Sequence, residues 1–196
     1  MNSRKGAVEL SISTMVVIVL AMTMLILGLA LVKTIFSSAS TSVETIDKKV
    51  QDQLNKLFTD ESAVAVMLGS DKTAKIKQGT DNFGIAVGAS TAQGDNIQSR
   101  DRLKYSLALD KVSNKNCVKT LGEAVVKAWF QQTLGQEISM DKYESNKAYA
   151  RITLDISKGT STCSQKIFVD VKDTQTNQMV GSDYFTVQIL KSGLFG

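Results

Sequence analysis

Side chains that ordinarily carry acid-base and metal chemistry are sparse in this sequence. It contains no histidine, which removes the commonest general base and the commonest metal ligand together. Ser-His-Asp triads, Cys-His dyads and imidazole zinc sites are excluded with it. Carboxylates are spread singly, and no Asp-x-Asp-x-Asp calcium loop, glycine-rich phosphate loop or nucleophile elbow occurs. Gly79-Thr-Asp-Asn-Phe-Gly84 and Ala92-Gln-Gly-Asp-Asn96 read as turn chemistry, with calcium the minor alternative. Serines and lysines are plentiful, but nothing singles out a Ser-Lys dyad. The expectation is no catalytic residue, no cofactor and no metal site, in a protein that is not an enzyme.

Two cysteines remain, Cys117 and Cys163. A metal pair would need further soft ligands nearby, and none stands close in sequence. The two either form a disulfide or are two buried thiols. A bridge would close a loop of about 47 residues, worth roughly 4 kcal/mol in the loop-entropy model. The net charge of +4 comes from scattered Lys and Arg rather than a cluster, which argues against a nucleic-acid partner. There is no proline, so Pro-rich linkers are absent.

The longest charge-free apolar run lies near the N-terminus. From Leu10 to Val32 the sequence reads LSISTMVVIVLAMTMLILGLALV, bounded by Glu9 and Lys33. As a helix these positions span about 35 Å, against a hydrocarbon core of about 30 Å. A spanning helix is the expectation; a buried core helix and a cleaved secretory signal are its rivals, the signal being shorter in its apolar region. Arg4, Lys5 and the terminal amine precede the run, and only Lys33 and a Ser/Thr-rich stretch follow it. That bias places the N-terminus in the cytoplasm and the remainder outside the cell, where a disulfide persists.

Arg4-Lys5-Gly6-Ala7-Val8-Glu9-Leu10, running straight into the apolar stretch, resembles the class III signal peptide of archaeal type IV pilins and archaellins. The resemblance covers about the first thirty-five residues. It implies a cut between Gly6 and Ala7 after the basic pair Arg4 and Lys5, made by a prepilin-peptidase-like enzyme. It also implies that the apolar helix stays in the mature subunit and becomes the core of a filament built by pilus assembly machinery. Glu9 would stand third after the cut, whereas bacterial type IV pilins carry their glutamate fifth. Copies would then pack through Leu10 to Phe36, having passed through the membrane before assembly. Gly28 and Ala30 are small positions that would let such helices approach closely, or simply residues facing lipid.

Beyond the helix, Ser37 to Ser42 reads as a polar joint. Val43, Ile46, Val50, Leu54, Leu57 and Phe58 then recur at spacings of three and four, predicting an amphipathic helix of about sixteen residues. Its apolar stripe is expected to pack on the chain's own β domain. Period-two alternation follows in Leu103–Leu109 and Ala150–Ile156. Further strands are predicted at Val64–Leu68, Ala74–Lys77, Phe83–Ala89, Lys166–Val171 and Tyr184–Leu190, about seven in all, with a turn over Thr176–Gly181. Gly122–Leu134 is predicted as a helix with Leu121, Val125, Trp129 and Phe130 inward, Trp129 being its packing anchor.

The expected class is α+β: a long N-terminal hydrophobic helix and a C-terminal antiparallel β-sandwich of immunoglobulin-like architecture, with a short helical insertion. The expected boundaries are a leader at 1–6, the membrane or filament helix at 7–36, the joint and amphipathic helix at 37–60, and an extracellular β-rich domain at 61–196. The functional expectation is a structural subunit of a type IV pilus-like filament. An uncleaved, membrane-anchored surface or binding protein is the alternative, and a tethered enzyme is disfavoured by the missing histidine.

Overall fold

The computed structural model describes residues 9–38, 45–58, 63–91, 95–97, 99, 101–112 and 116–192, with side chains of the first helix described over 14–28. The chain divides into two units, Met1–Ser38 and Ala39–Gly196. The first contains helix α1 (Glu9–Ser38).

The second unit is built on two sheets. Its elements are α2 (Lys48–Asn55), β1 (Val64–Val66), β2 (Thr73–Lys77), β3 (Thr80–Ser90), β4 (Leu103–Leu109), α3 (Cys117–Leu121), α4 (Glu123–Lys127), β5 (Ile138–Ser139), β6 (Lys142–Glu144), β7 (Lys147–Ile156), β8 (Ser164–Asp173) and β9 (Gln178–Leu190). One sheet has the order β1-β3-β7-β6 and the other β2-β9-β8-β4-β5. The alternation of apolar and polar residues decides which face of each strand is buried. Leu103, Tyr105 and Leu107 of β4, Ile167, Val169 and Val171 of β8, and Phe185, Val187 and Ile189 of β9 meet Ile85 and Val87 of β3 and Ile152, Leu154 and Ile156 of β7 in one core.

The four-stranded sheet is covered on its other face by α2. Asp47 caps that helix by accepting from the Val50 N–H at 2.9 Å, satisfying a donor the helix itself cannot. Leu54, with Ile46, Val50 and Phe58, then packs on Ala65, Ala86 and Tyr149. Tyr149 donates its hydroxyl to Asn55 Oδ1 at 2.8 Å. A Cβ at Gly88 would stand 2.8 Å from the end of the Phe58 ring, which would have to shift to admit it.

Trp129 anchors the segment after α4 to the exposed edge of β7. It is 2% exposed, and its carbonyl accepts from the Asp155 N–H at 2.7 Å. Gln131 donates its N–H to the Thr153 carbonyl, and the Gln132 side chain accepts from the Thr153 N–H and donates to the Arg151 carbonyl. Cys117 and Cys163 are joined, fastening the start of α3 to the residue before β8.

Several expectations are corrected. The structure is mostly β, with two sheets, rather than the expected α+β. Among the described residues no helix is long and apolar enough to cross a membrane. The long hydrophobic helix expected to span a membrane and to form half of the fold is thus not a feature of the described residues. The sandwich is not wholly antiparallel, because β2 runs parallel to β9. The predicted helix Gly122–Leu134 is two short helices broken at Gly122, whose φ of 89° and ψ of 150° form a conformation that side-chain-bearing residues avoid. Val126, not Val125, is the buried valine. The sixteen-residue amphipathic helix is eight residues long. Gly181, expected in a turn, lies inside β9 opposite Val171. Residues 1–8, including the predicted leader, lie outside the described residues, as do 39–44 of the joint.

Gly122 offers a clean test of the helix break. An added Cβ meets nothing within 4 Å, so the penalty for Gly122→Ala is torsional. It is expected to lower unfolding free energy by about 1–3 kcal/mol, measured by chemical denaturation. Reduction of the disulfide is expected to cost about 2–5 kcal/mol in the same assay.

Candidate functional site

On α1, every residue described from Thr14 to Gly28 is exposed. Successive helical residues point 100° apart, so consecutive exposed apolar residues from Met15 to Leu20 and from Met24 to Leu27 leave no polar sector. Thr23 does not interrupt this surface, since its hydroxyl donates to the Leu20 carbonyl at 2.9 Å and is satisfied within the helix. Fully burying an aliphatic side chain is worth about 1.5–3 kcal/mol. The eleven large apolar residues exposed on this stretch therefore present a gross driving force on the order of 20 kcal/mol. Such a surface has one chemical capacity, which is association with other apolar matter.

The sequence-predicted site residues are distributed unevenly across the description. Arg4, Lys5, Gly6 and Ala7 lie outside the described residues. Gly28 lies on the exposed stretch of α1, where a Cβ would meet nothing within 4 Å; the side chain of Ala30 lies outside the description. Cys117 and Cys163 are brought together.

In the second unit, one partly buried charge cluster is formed by residues that sequence reasoning did not single out. Arg102, just before β4, donates from Nε and Nη2 to Asp173 Oδ2 at 3.0 and 2.8 Å, and from Nη1 to Asp95 Oδ1 at 3.0 Å. The other oxygen of Asp173 accepts from the Gln175 N–H at 2.9 Å. The Arg102 guanidinium holds both carboxyls below their usual range, and the two carboxylates push the Arg102 pKa up. The cluster borders a cleft of about 690 Å³ whose wall includes Phe58, Lys147 and Met179. Its ions serve one another, and it contains neither a nucleophile-base pair nor a metal cage. Among the described residues no group of three His, Cys, Asp or Glu is placed to hold a metal ion. Arg102 and Asp173 are 71 residues apart, a separation that gives no local signal. Glu123 forms a second cluster, held down to about 2 by Lys111 and Lys127, each 2.7 Å away.

The Arg102 cluster gives the fold a defined acid sensitivity. A carboxyl whose folded pKa is depressed adds stability above its unfolded pKa, near 3.9, and loses it as pH falls through the folded value. Unfolding free energy is thus expected to fall below about pH 4. Arg102→Met is expected to lower stability near neutral pH by about 3 kcal/mol, because Asp173 is left buried without its cation. It is also expected to flatten the acid limb, as followed by thermal unfolding across pH.

Comparison with known proteins adds distant likenesses only. No family model matches the chain, and no curated protein does. Among solved structures, a GspB Siglec domain is similar at 12% identity and a TM-score of 0.37, over 68% of this chain and 60% of that one. A PapD-like domain of human CEP192 is similar at 10% identity and a TM-score of 0.33, over 78% and 99%. A family 123 glycoside hydrolase from Clostridium perfringens is similar at 10% and 0.29, over 67% of this chain and 28% of that chain. The chain thus spans less than two thirds of the length of the first and third of these. The structure itself has the two-sheet, disulfide-bonded character of a β-sandwich-like body.

Proposed function

We propose that this protein is a structural subunit of an extracellular, type IV pilus-like filament, in which copies associate through α1 and display the disulfide-bonded β unit outward. One observation carries the reading: α1 is apolar and exposed on every side over 14–28. Water is a poor solvent for such a surface, and sister helices are the partner that the protein itself supplies at high local concentration. The basic residues Arg4 and Lys5 before Gly6 support processing between Gly6 and Ala7, with the subunit held at the cell membrane until it assembles. The absence of histidine supports a structural rather than a catalytic role.

Mass spectrometry and electron microscopy of the native protein test the proposal together. The expected results are an N-terminus at Ala7 and helical polymers. Leu20→Lys places a charge within the apolar surface at a cost of several kcal/mol, so subunit dissociation is expected to rise at least about a thousandfold. The β unit's thermal transition should be unchanged. An intact Met1 on a protein that detergent releases as single copies would replace this reading with a membrane-anchored surface protein.

A further inference from the structure

The outer face of the five-stranded sheet concentrates positive charge that the sequence disperses. Lys75 and Lys77 of β2, Lys104 of β4, and Lys166 and Lys172 of β8 alternate with core residues and so share that face. Lys72 reaches onto it from the turn before β2, its ammonium 5.1 Å from the centre of the Tyr184 ring. Four carboxylates stand among or beside these six lysines, one of them Asp101, which accepts from Ser139, the cross-strand partner of Lys104. Asp183 pairs with Lys72, Glu137 lies 3.5 Å from Lys172, and Asp170 accepts from Ser182. Lys77, Lys104 and Lys166 have no carboxylate partner among the described residues. By contrast, Lys111 and Lys127 at the insertion both close on Glu123.

One detail of this face runs against the needs of stability, and a second leaves a cation without an acid. Lys104 and Lys172 are direct cross-strand partners, an arrangement in which like charges destabilise a sheet. Lys166 is held over aromatic rings instead of beside an acid, its ammonium 3.7 Å from the Tyr184 ring centre and 5.1 Å from that of Phe168. Phe168 and Tyr184 are themselves direct partners across β8 and β9. A cation resting on a ring is fixed in position but keeps its full charge. Lys166 is therefore an ordered, unneutralised cation, which is what recognition of an anion requires.

We infer that this face binds an acidic polysaccharide, a carboxylate-bearing glycan chain lying along β8. Charge complementarity and geometry select that occupant. Lys166 and Lys172 are six residues apart on one strand, about 20 Å, with Lys104 beside one and Lys72 beyond the other. Cations so dispersed on an open sheet face suit a long polymer of regularly spaced single charges, not a small anion gripped by converging donors. The Tyr184 ring already carries two ammonium groups, so it is not a free platform for stacking nucleic-acid bases. This site is independent of how subunits assemble.

The test measures binding of polygalacturonate to the full chain in detergent, with neutral dextran and single-stranded DNA of similar length as comparisons. Polygalacturonate is expected to bind at low ionic strength and to weaken as salt screens the charges, while dextran does not bind and DNA binds at least tenfold more weakly. The combined variant Lys104→Gln, Lys166→Gln and Lys172→Gln is expected to lose at least about tenfold in affinity. The same charge change placed elsewhere, Lys111→Gln, Lys119→Gln and Lys127→Gln, is expected to leave affinity within about twofold. The face variant should keep a cooperative thermal transition, because relief of the Lys104–Lys172 repulsion offsets loss of the Lys166 ring contacts and the Lys172–Glu137 pair. Equal losses in the two variants, DNA binding as tight as that of the glycan, or no binding of polygalacturonate would each overturn the inference.

Discussion

Two apolar sheet faces that must be closed against each other govern the second unit. Each sheet presents one side made of Val, Ile, Leu, Phe and Tyr, and neither face could meet water at tolerable cost. The path of the chain enforces the closure. β1 lies in the four-stranded sheet, β2 in the five-stranded sheet, β3 returns to the first and β4 to the second. Only β4–β5, β6–β7 and β8–β9 are neighbours both in sequence and in their sheet. Neither sheet can therefore be completed without the other, and the long connections that cross between them make the core a single cooperative object.

The remaining features of this unit secure what the core leaves open. The sheet containing β3 and β7 is buried on both sides, and α2 supplies the second cover through Leu54 and Phe58. The segment from Trp129 to Gln132 closes the stretch of β7 that β6, only three residues long, does not reach. The disulfide then prevents that insertion from separating from β8. Arg102 performs the equivalent task with charge, tying the start of β4 to Asp173 at the end of β8 and to Asp95 in the preceding loop.

Strands were legible in the sequence where they are long and covered on one face or both. Leu103–Leu109 and the stretch from Ala150 to Ile156 alternate with period two, and the structure has strands at all seven predicted places, extended by a residue or more at several ends. β5 and β6 escaped because two or three residues carry no period. The parallel pairing of β2 with β9 and the Arg102 cluster are contacts between distant parts of the chain, to which local pattern is blind. The break at Gly122 was available in principle, because a glycine inside an apolar helical pattern marks a candidate boundary. Reading through it moved the buried position by one residue, from Val126 to Val125. The α+β expectation gave the N-terminal apolar run the weight of half a fold, whereas the described residues are dominated by strand.

The apolar residues of α1 and α2 differ in exposure. On α2 the apolar stripe is narrow, and the β unit consumes it: Leu54 is fully buried, while Ile46, Val50 and Phe58 pack beside it. Of the large apolar residues there, only Leu57 remains exposed, at 42%. α2 therefore has little left to offer another molecule. α1 is the opposite case, since no side of its described stretch is polar and no residue from 14 to 28 is buried. A helix with a polar sector accepts neighbours on one side only, whereas a helix without one can be surrounded. Enclosure of that kind is the geometry of a helix at the centre of a bundle of its own copies. It is the physical reason the assembly proposal rests on α1 rather than on α2 or the sheets.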